Sequence, residues 1–380
     1  MRLFNEDHIQ FRDSVKQFVA KEITPHAAKW EKNREIPREL WEKMGEMGFL
    51  GFCYDQEYGG QNLDALYSVI LIEELTKSRC GGIEVAVGVH NDMSSTYLNL
   101  LGTPEQKRKY LAPCINGRAI CAIAITEPDA GSDVAGIRTT AVKDGDSYVL
   151  NGQKTYITNG YYADIIITAA KTDLDAEPAH KGISLFAVEK GTPGLSASKL
   201  EKMGAHASDT AELFYQDCRV PAENLLGKEG SGFKALMKNL QKERLIGAVM
   251  SVAYCDQVID DTIAFAKERL ITKPHFSYYQ ASRNRLVEMA SETEMAKAFV
   301  HHCCQEFVAG HDIIKEVSMA KYLAGELVNR VACDCAQFFG SYGYMRDYPI
   351  SNAYTNVRLH TIAGGTTEIM KEIIASKIGL

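Results

Sequence analysis

Thr126-Glu-Pro-Asp-Ala-Gly-Ser-Asp133 is followed at close range by Gly152-Gln-Lys-Thr-Tyr-Ile-Thr-Asn-Gly160. The first stretch offers a hydroxyl, a proline-restricted turn and a Gly-Ser pair whose backbone N–H groups can approach a ligand closely. The second reads as a strand carrying Tyr156 and Thr158 two residues apart, which puts both on one strand face. Together they suit one face of a flat, polar, stackable ring system. Either stretch alone is more often an ordinary turn, or a strand aromatic packed in a core, so the pairing carries the reading.

Working outward, residues 5 to about 120 carry helical periodicity. Phe11, Val15, Phe18 and Val19 share one face, Leu66 to Leu75 runs as an apolar helix, and Gly59-Gly60 and Gly81-Gly82 act as turns or helix ends. From about Ala119 short segments take over: Tyr148-Val-Leu150, Ile165-Ile-Ile-Thr168 and Ile183-Ser-Leu-Phe-Ala-Val188, separated by turns such as Asp144-Gly145. That spacing predicts a small antiparallel β domain with its exit near Val220-Pro221. From Phe233 helical periodicity returns, interrupted near Pro274 and between Gly340 and Pro349. The expected division is 1–118 helical, 119–228 β and 229–380 helical, an order that excludes a doubly wound sheet.

A chain of 380 residues is too long for one core. With 46% hydrophobic and 24% charged residues, it has the composition of a globular domain protein. A net charge of −7 without a basic stripe argues against a nucleic-acid partner. No apolar run approaches the ~20 residues of a membrane span, and the acidic start Met-Arg-Leu-Phe-Asn-Glu-Asp-His lacks a signal-peptide core, so a cytoplasmic location is expected. The ten cysteines include no Cys-x-x-Cys pair. His301-His302-Cys303-Cys304 spreads its side chains round a helix, so packed thiols and no metal are expected.

The paired motifs and the α–β–α order resemble the acyl-CoA dehydrogenase family over essentially the whole chain. The resemblance implies a helical N-terminal domain, a central antiparallel β-barrel and a C-terminal four-helix bundle, in a homotetramer. It implies FAD as cofactor, an acyl-CoA substrate and electron-transfer flavoprotein as acceptor. Ile123, Ile125, Thr126, Gly131, Ser132, Tyr156 and Thr158 match flavin-holding positions, with Ser132 also approaching the CoA. Gln337-Phe-Phe-Gly340-Ser341-Tyr-Gly343-Tyr resembles the family's Gln-x-x-Gly-Gly-x-Gly-Tyr, with Ser341 in place of the second glycine. In Gly364-Gly365-Thr366-Thr367-Glu368, Thr366 and Glu368 match cofactor contacts. Arg269 matches an arginine that meets the FAD pyrophosphate of a neighbouring subunit, and Gln280 resembles a nearby contact. The Phe-Gly expected after Arg269 is replaced by Thr272-Lys273.

The chemistry removes an α proton and a β hydride, so it needs a base, a hydride acceptor and donors for the thioester oxygen. In the commonest branch the base is a Glu where this chain has Gly364, leaving only backbone to hold the oxygen. A second branch, with the long-chain and isovaleryl enzymes, carries the base in a Glu-Arg-Leu sequence, here Glu243-Arg244-Leu245. The spacing Leu236, Leu240, Glu243, Gly247 sets Glu243 on an apolar stripe, where partial desolvation raises a carboxyl pKa. A lone helix glutamate more often faces solvent. Arg244 matches a CoA-contacting residue. Asp92, in a stretch that lines the acyl pocket of relatives, is the rival. It is either a base toward a ring substrate such as cyclohex-1-ene-1-carbonyl-CoA or the N-cap of the following helix. An enoyl-CoA reductase would keep the same residues, and a non-catalytic FAD-holding scaffold is the reading from a different class.

Overall fold

A computed structural model describes residues 3–270 and 275–380, so the departure at Thr272-Lys273 lies outside the described residues. The first helix, α1 (Glu6–Phe18), starts at a reciprocal cap: the Asn5 side chain accepts from the His8 amide at 2.9 Å, and the Asn5 amide donates to His8 Nδ1 at 3.2 Å. It buries Val15 and Phe18. Helix α2 (Leu66–Thr76) is buried on every side: Val69 to Ile72 and Leu75 pack in apolar cores, and the buried Glu73 and Glu74 both pair with Arg12 at 2.6 Å. The run Ile83–Gly88 passes through a π-helical stretch, Val89–Ser94, into α3 (Ser95–Leu101).

Among the described residues eight strands follow: β1 (Cys121–Ala124), β2 (Thr140–Asp144), β3 (Ser147–Thr158), β4 (Ile165–Lys171), β5 (Ile183–Glu189), β6 (Leu195–Lys199), β7 (Thr210–Pro221) and β8 (Leu225–Leu226). They form one sheet in the order β6-β7-β3-β2-β4-β5-β8, with β1 on β4. This corrects the expected antiparallel barrel on two counts. The sheet is open, because β6 and the two-residue β8 are its ends and do not pair with each other. It is also mixed, since β1 and β2 both meet β4 in parallel. Alternating apolar segments announce strands but say nothing of which distant strands close on which.

Helix α4 (Gly232–Glu268) joins the layers. At 37 residues it is about 55 Å long and crosses three cores in turn. Leu236 packs in the cluster that holds Tyr97, Leu98 and Ile167, with Ile123 and Ile125 against it. Leu245 to Val252 pack with Leu66, Val69 and Ile72 of α2 and with Val317, Ala320 and Ala324. Tyr254 to Ile259 pack with Val328, Val331 and Phe339. The partners from Val317 to Phe339 lie on α6 (Ile314–Phe339), which with α4, α5 (Gln280–Val308) and α7 (Thr367–Ile378) makes the C-terminal bundle. Among the described residues, no helix is long and apolar enough to cross a membrane. His301 meets Glu73 at 3.1 Å, and Cys303 and Cys304 are buried free thiols.

Candidate active site

The two sequence motifs are riveted together. The Glu127 carboxylate, buried, takes Lys154 Nζ at 2.7 Å and the backbone amides of Arg138 and Thr139 at 2.6 and 2.9 Å. Lys154 also donates to the Ile125 carbonyl at 3.0 Å, and the Thr155 amide donates to the Thr126 carbonyl at 2.9 Å. Burial pushes the Lys154 ammonium down to about 8 even though Glu127 opposes the fall. For Glu127 burial acts upward, but Lys154 and the amides outweigh it and the carboxyl lies below its usual range. Sequence reading missed this pair although both residues stand inside the quoted motifs; a Glu and a Lys flanking the ligand-facing residues were the available signal.

The rivet holds out a shelf. Ile123, Ile125, Thr126 and Thr158 are half-buried, and Gly131 and Ser132 are exposed. A Cβ added at Gly131 would meet nothing within 4 Å. β3 carries a bulge against β7 between Lys154 and Ile157, and Tyr156 sits there at φ +60° with 70% of its surface exposed. A non-glycine residue in the left-handed region marks a functional constraint more often than chance, and here it swings a large ring out of the sheet. The packed-aromatic reading of Tyr156 is thereby overturned. Thr158 follows two residues on and is half-buried. The residues present fit a flavin ring: a bare aromatic, a half-buried hydroxyl, and open space over a glycine turn.

Glu243 lies on α4. It is 7% exposed, and its Oε1 accepts from Tyr97 Oη at 3.2 Å and Asn239 Nδ2 at 3.1 Å. Burial raises its pKa, opposed by those two donors and by the charges of Arg244 and Lys242. Tyr97 shares a cluster with Ile123 and Ile125, which links the carboxylate to the shelf. One turn on, a Cβ at Gly247 would meet nothing within 4 Å. Arg244 is buried with its Nε lacking a hydrogen-bond partner among the described residues, and burial lowers its pKa despite Glu243. An unsatisfied buried guanidinium is costly and suits a polar or anionic ligand group.

The Gly364 turn belongs to the same neighbourhood. Lys321 of α6 donates to the Gly365 carbonyl, and its pKa is brought down to about 8 by burial and by the charge of Arg244. Gly364 has φ +67°, which glycine adopts freely, and the space where its Cβ would stand is open. Thr366 caps α7 by accepting from the Ile369 amide at 3.3 Å, and Glu368 is exposed in its first turn.

Asp92 is not a helix cap. It lies inside the π-helical stretch, and its Oδ1 takes Lys242 Nζ at 2.9 Å and Ser68 Oγ at 2.6 Å. Asn239 Nδ2 reaches its carbonyl at 3.2 Å, so Asp92 and Glu243 are separated by one side chain. Ser68 and Lys242 escaped sequence reading because nothing local ties them to Asp92.

A second group stands apart. Arg269 lies with its guanidinium 5.1 Å from the centroid of Tyr342, next to exposed Ser341 and Gln337 at the end of α6, and exposed Gln280 opens α5. Arg269 follows the end of α4, about 39 Å along that helix from Glu243. Tyr97 and its cluster connect Glu243 to Ile123 and Ile125, and Lys321 connects Arg244 to the Gly364 turn, whereas Arg269, Gln280, Gln337 and Ser341 lie toward the far end of the bundle.

A glycine-edged shelf with a bare aromatic ring, joined through Tyr97 to a desolvated helix carboxylate, suits a flat, stackable ligand held near a base. Models of the acyl-CoA dehydrogenase N-terminal, middle and C-terminal domains match residues 5–118, 122–218 and 230–379. The chain is 42% identical over 379 residues to the mitochondrial long-chain specific acyl-CoA dehydrogenase of Mus musculus, covering 99% of this chain and 87% of that protein. It superposes on an acyl-CoA dehydrogenase from Geobacillus kaustophilus with TM-score 0.97 and 48% identity, over 100% of both chains. A glutaryl-CoA dehydrogenase from Mycobacterium smegmatis in complex with FADH2 matches with TM-score 0.93 and 28% identity, over 100% of this chain and 96% of that one. The chain belongs to the acyl-CoA dehydrogenase family, an FAD-dependent oxidoreductase family acting on acyl-CoA.

Proposed function

We propose that this enzyme oxidises an acyl-CoA thioester with Glu243 taking the α proton, and passes the electrons to electron-transfer flavoprotein. The observation that carries the reading is a buried carboxylate that, among the described residues, has no ion-pair partner and has one oxygen, Oε2, that accepts no hydrogen bond. Its raised pKa makes it a stronger base once ionised. Tyr156, Thr158, Thr126, Gly131 and Ser132 would hold the flavin ring, and Thr366 and Glu368 the cofactor beside the Gly364 turn. Bound FAD supplies the acceptor for the β hydride. The backbone N–H at Gly364 would hold the thioester oxygen as negative charge grows on it. Arg244, with its unpartnered Nε, binds the CoA portion. The separation of Arg269, Gln280, Gln337 and Ser341 from Glu243 supports an adenine half held by a neighbouring subunit of a homotetramer.

Glu243→Gln is expected to keep FAD and to slow bleaching of the flavin band by straight-chain acyl-CoA about 10³-fold. Bleaching at the parent rate would move the base role to Asp92. The closeness of Asp92 to Glu243 through Asn239 supports the second reading, 1,4-dehydrogenation of a ring substrate with Asp92 as base. Its hold on Lys242 and Ser68 counts against it, because a substrate proton would compete with both for Oδ1. Turnover of cyclohex-1-ene-1-carbonyl-CoA that vanishes in Asp92→Asn would establish it; equal turnover in parent and variant would remove it.

A further inference from the structure

Glu243 is held from two elements at a single atom. Tyr97, on α3, and Asn239, one turn earlier on α4, both donate to Oε1. Asn239 is itself fixed: the same Nδ2 lies 3.2 Å from the Asp92 carbonyl and 3.4 Å from that of Met93, and the residue is buried. Tyr97 has no exposed surface, and its ring is packed among Leu98, Leu111 and Leu236. A carboxylate free to spin about its last torsion would present either oxygen at a broad range of angles. Two donors converging on one oxygen from fixed positions remove that freedom.

We propose that Tyr97 and Asn239 are positioning residues that clamp Oε1 of Glu243 and so make Oε2 the oxygen that receives the substrate α proton. The inference rests on Glu243 being the base. Holding a base in its attacking geometry is worth orders of magnitude in rate, because the orientation is settled before the substrate arrives. The clamp has a second effect. Both donors favour the ionised carboxylate and so offset part of what burial does to it. The other charges facing Glu243 are Arg244 and Lys242 on its own helix, Lys242 being paired with Asp92 of the π-helical stretch, and Lys321 of α6 acting on Arg244. None of these is altered by removing the tyrosine hydroxyl.

The sign follows directly. Loss of a donor to the charged form raises the Glu243 pKa, and the base works only when ionised. The acidic limb of the kcat/KM profile therefore moves to higher pH. In the holoenzyme, Tyr97→Phe is expected to shift that limb up by about one pH unit, giving about ten-fold lower activity below it, with KM changed less than about two-fold. Asn239→Leu is expected to act in the same direction, and if it fails to fold, Tyr97→Phe decides alone. A purely structural role would lower melting temperature and flavin content while leaving the limb in place, and that result would overturn the proposal. Glu243→Gln measured alongside separates the two levels. If it retains turnover, the assignment of the base fails; if it is inactive while Tyr97→Phe keeps the parent limb, only the clamp fails.

Discussion

Glu127 and Glu243 are both buried carboxylates, one joining the two motifs of the sheet domain and one on α4, and their surroundings differ in kind. Glu127 receives an ammonium and two backbone amides, and its pKa falls. Among the described residues Glu243 receives two neutral donors on one oxygen and none on the other, and its pKa rises. Burial acts upward on both, so it does not distinguish them; the supply of positive charge does. The first arrangement makes a joint, the second leaves a charge that a reacting proton can satisfy. Asp92, which has its own half-buried lysine, belongs with the joints.

The largest expected effect is on the joint. Lys154→Met leaves Glu127 buried without its cation and should cost about 3–5 kcal/mol in denaturant unfolding, with loss of flavin, whereas Lys154→Met with Glu127→Gln should recover much of that. If the single variant is as stable as the parent, the rivet is not what holds the motifs together.

The helix site should respond in the opposite sense to pH. The folded pKa of Glu243 lies above its unfolded value, so its ionised form disfavours folding, and stability declines as pH rises through that interval. Glu243→Gln should therefore stabilise the protein by about 1 kcal/mol at pH 8, a gain that fades below the unfolded pKa. For Glu127 the folded pKa lies below the unfolded value, so its contribution is present near neutrality and is lost as pH falls through the folded pKa; Glu127→Gln should destabilise at pH 8. Thermal melts of both variants across pH test the contrast, which would fail if the two moved together.

The smallest effect concerns strain on the shelf. Tyr156→Asn places a residue tolerant of positive φ at the bulge and should raise apoprotein stability by about 0.5 kcal/mol while weakening FAD retention. Unchanged retention would show that the exposed ring does not hold the cofactor.

The parts of this architecture that depend on local chemistry were readable from the chain. The Leu236, Leu240, Glu243, Gly247 stripe placed the carboxylate on a buried helix face, where Glu243 lies. The motif around Tyr156 and Thr158 located the shelf, though the bulge that exposes the ring depends on pairing with β7. What escaped depends on contacts between distant positions. Tyr97 meets Glu243 across 146 residues, and Asp92 meets Lys242 from a different helix. The open sheet escaped for the same reason, since the parallel pairing of β1 with β4 is set by the tertiary fold and leaves no periodic mark.

The proton step can be observed without the hydride step. NMR-monitored exchange of acyl-CoA α protons for solvent deuterium, with the holoenzyme held anaerobically in its reduced form, reports on the base alone. The account predicts exchange by the parent and by Asp92→Asn, and none above background by Glu243→Gln. Exchange at the parent rate in Glu243→Gln would contradict it.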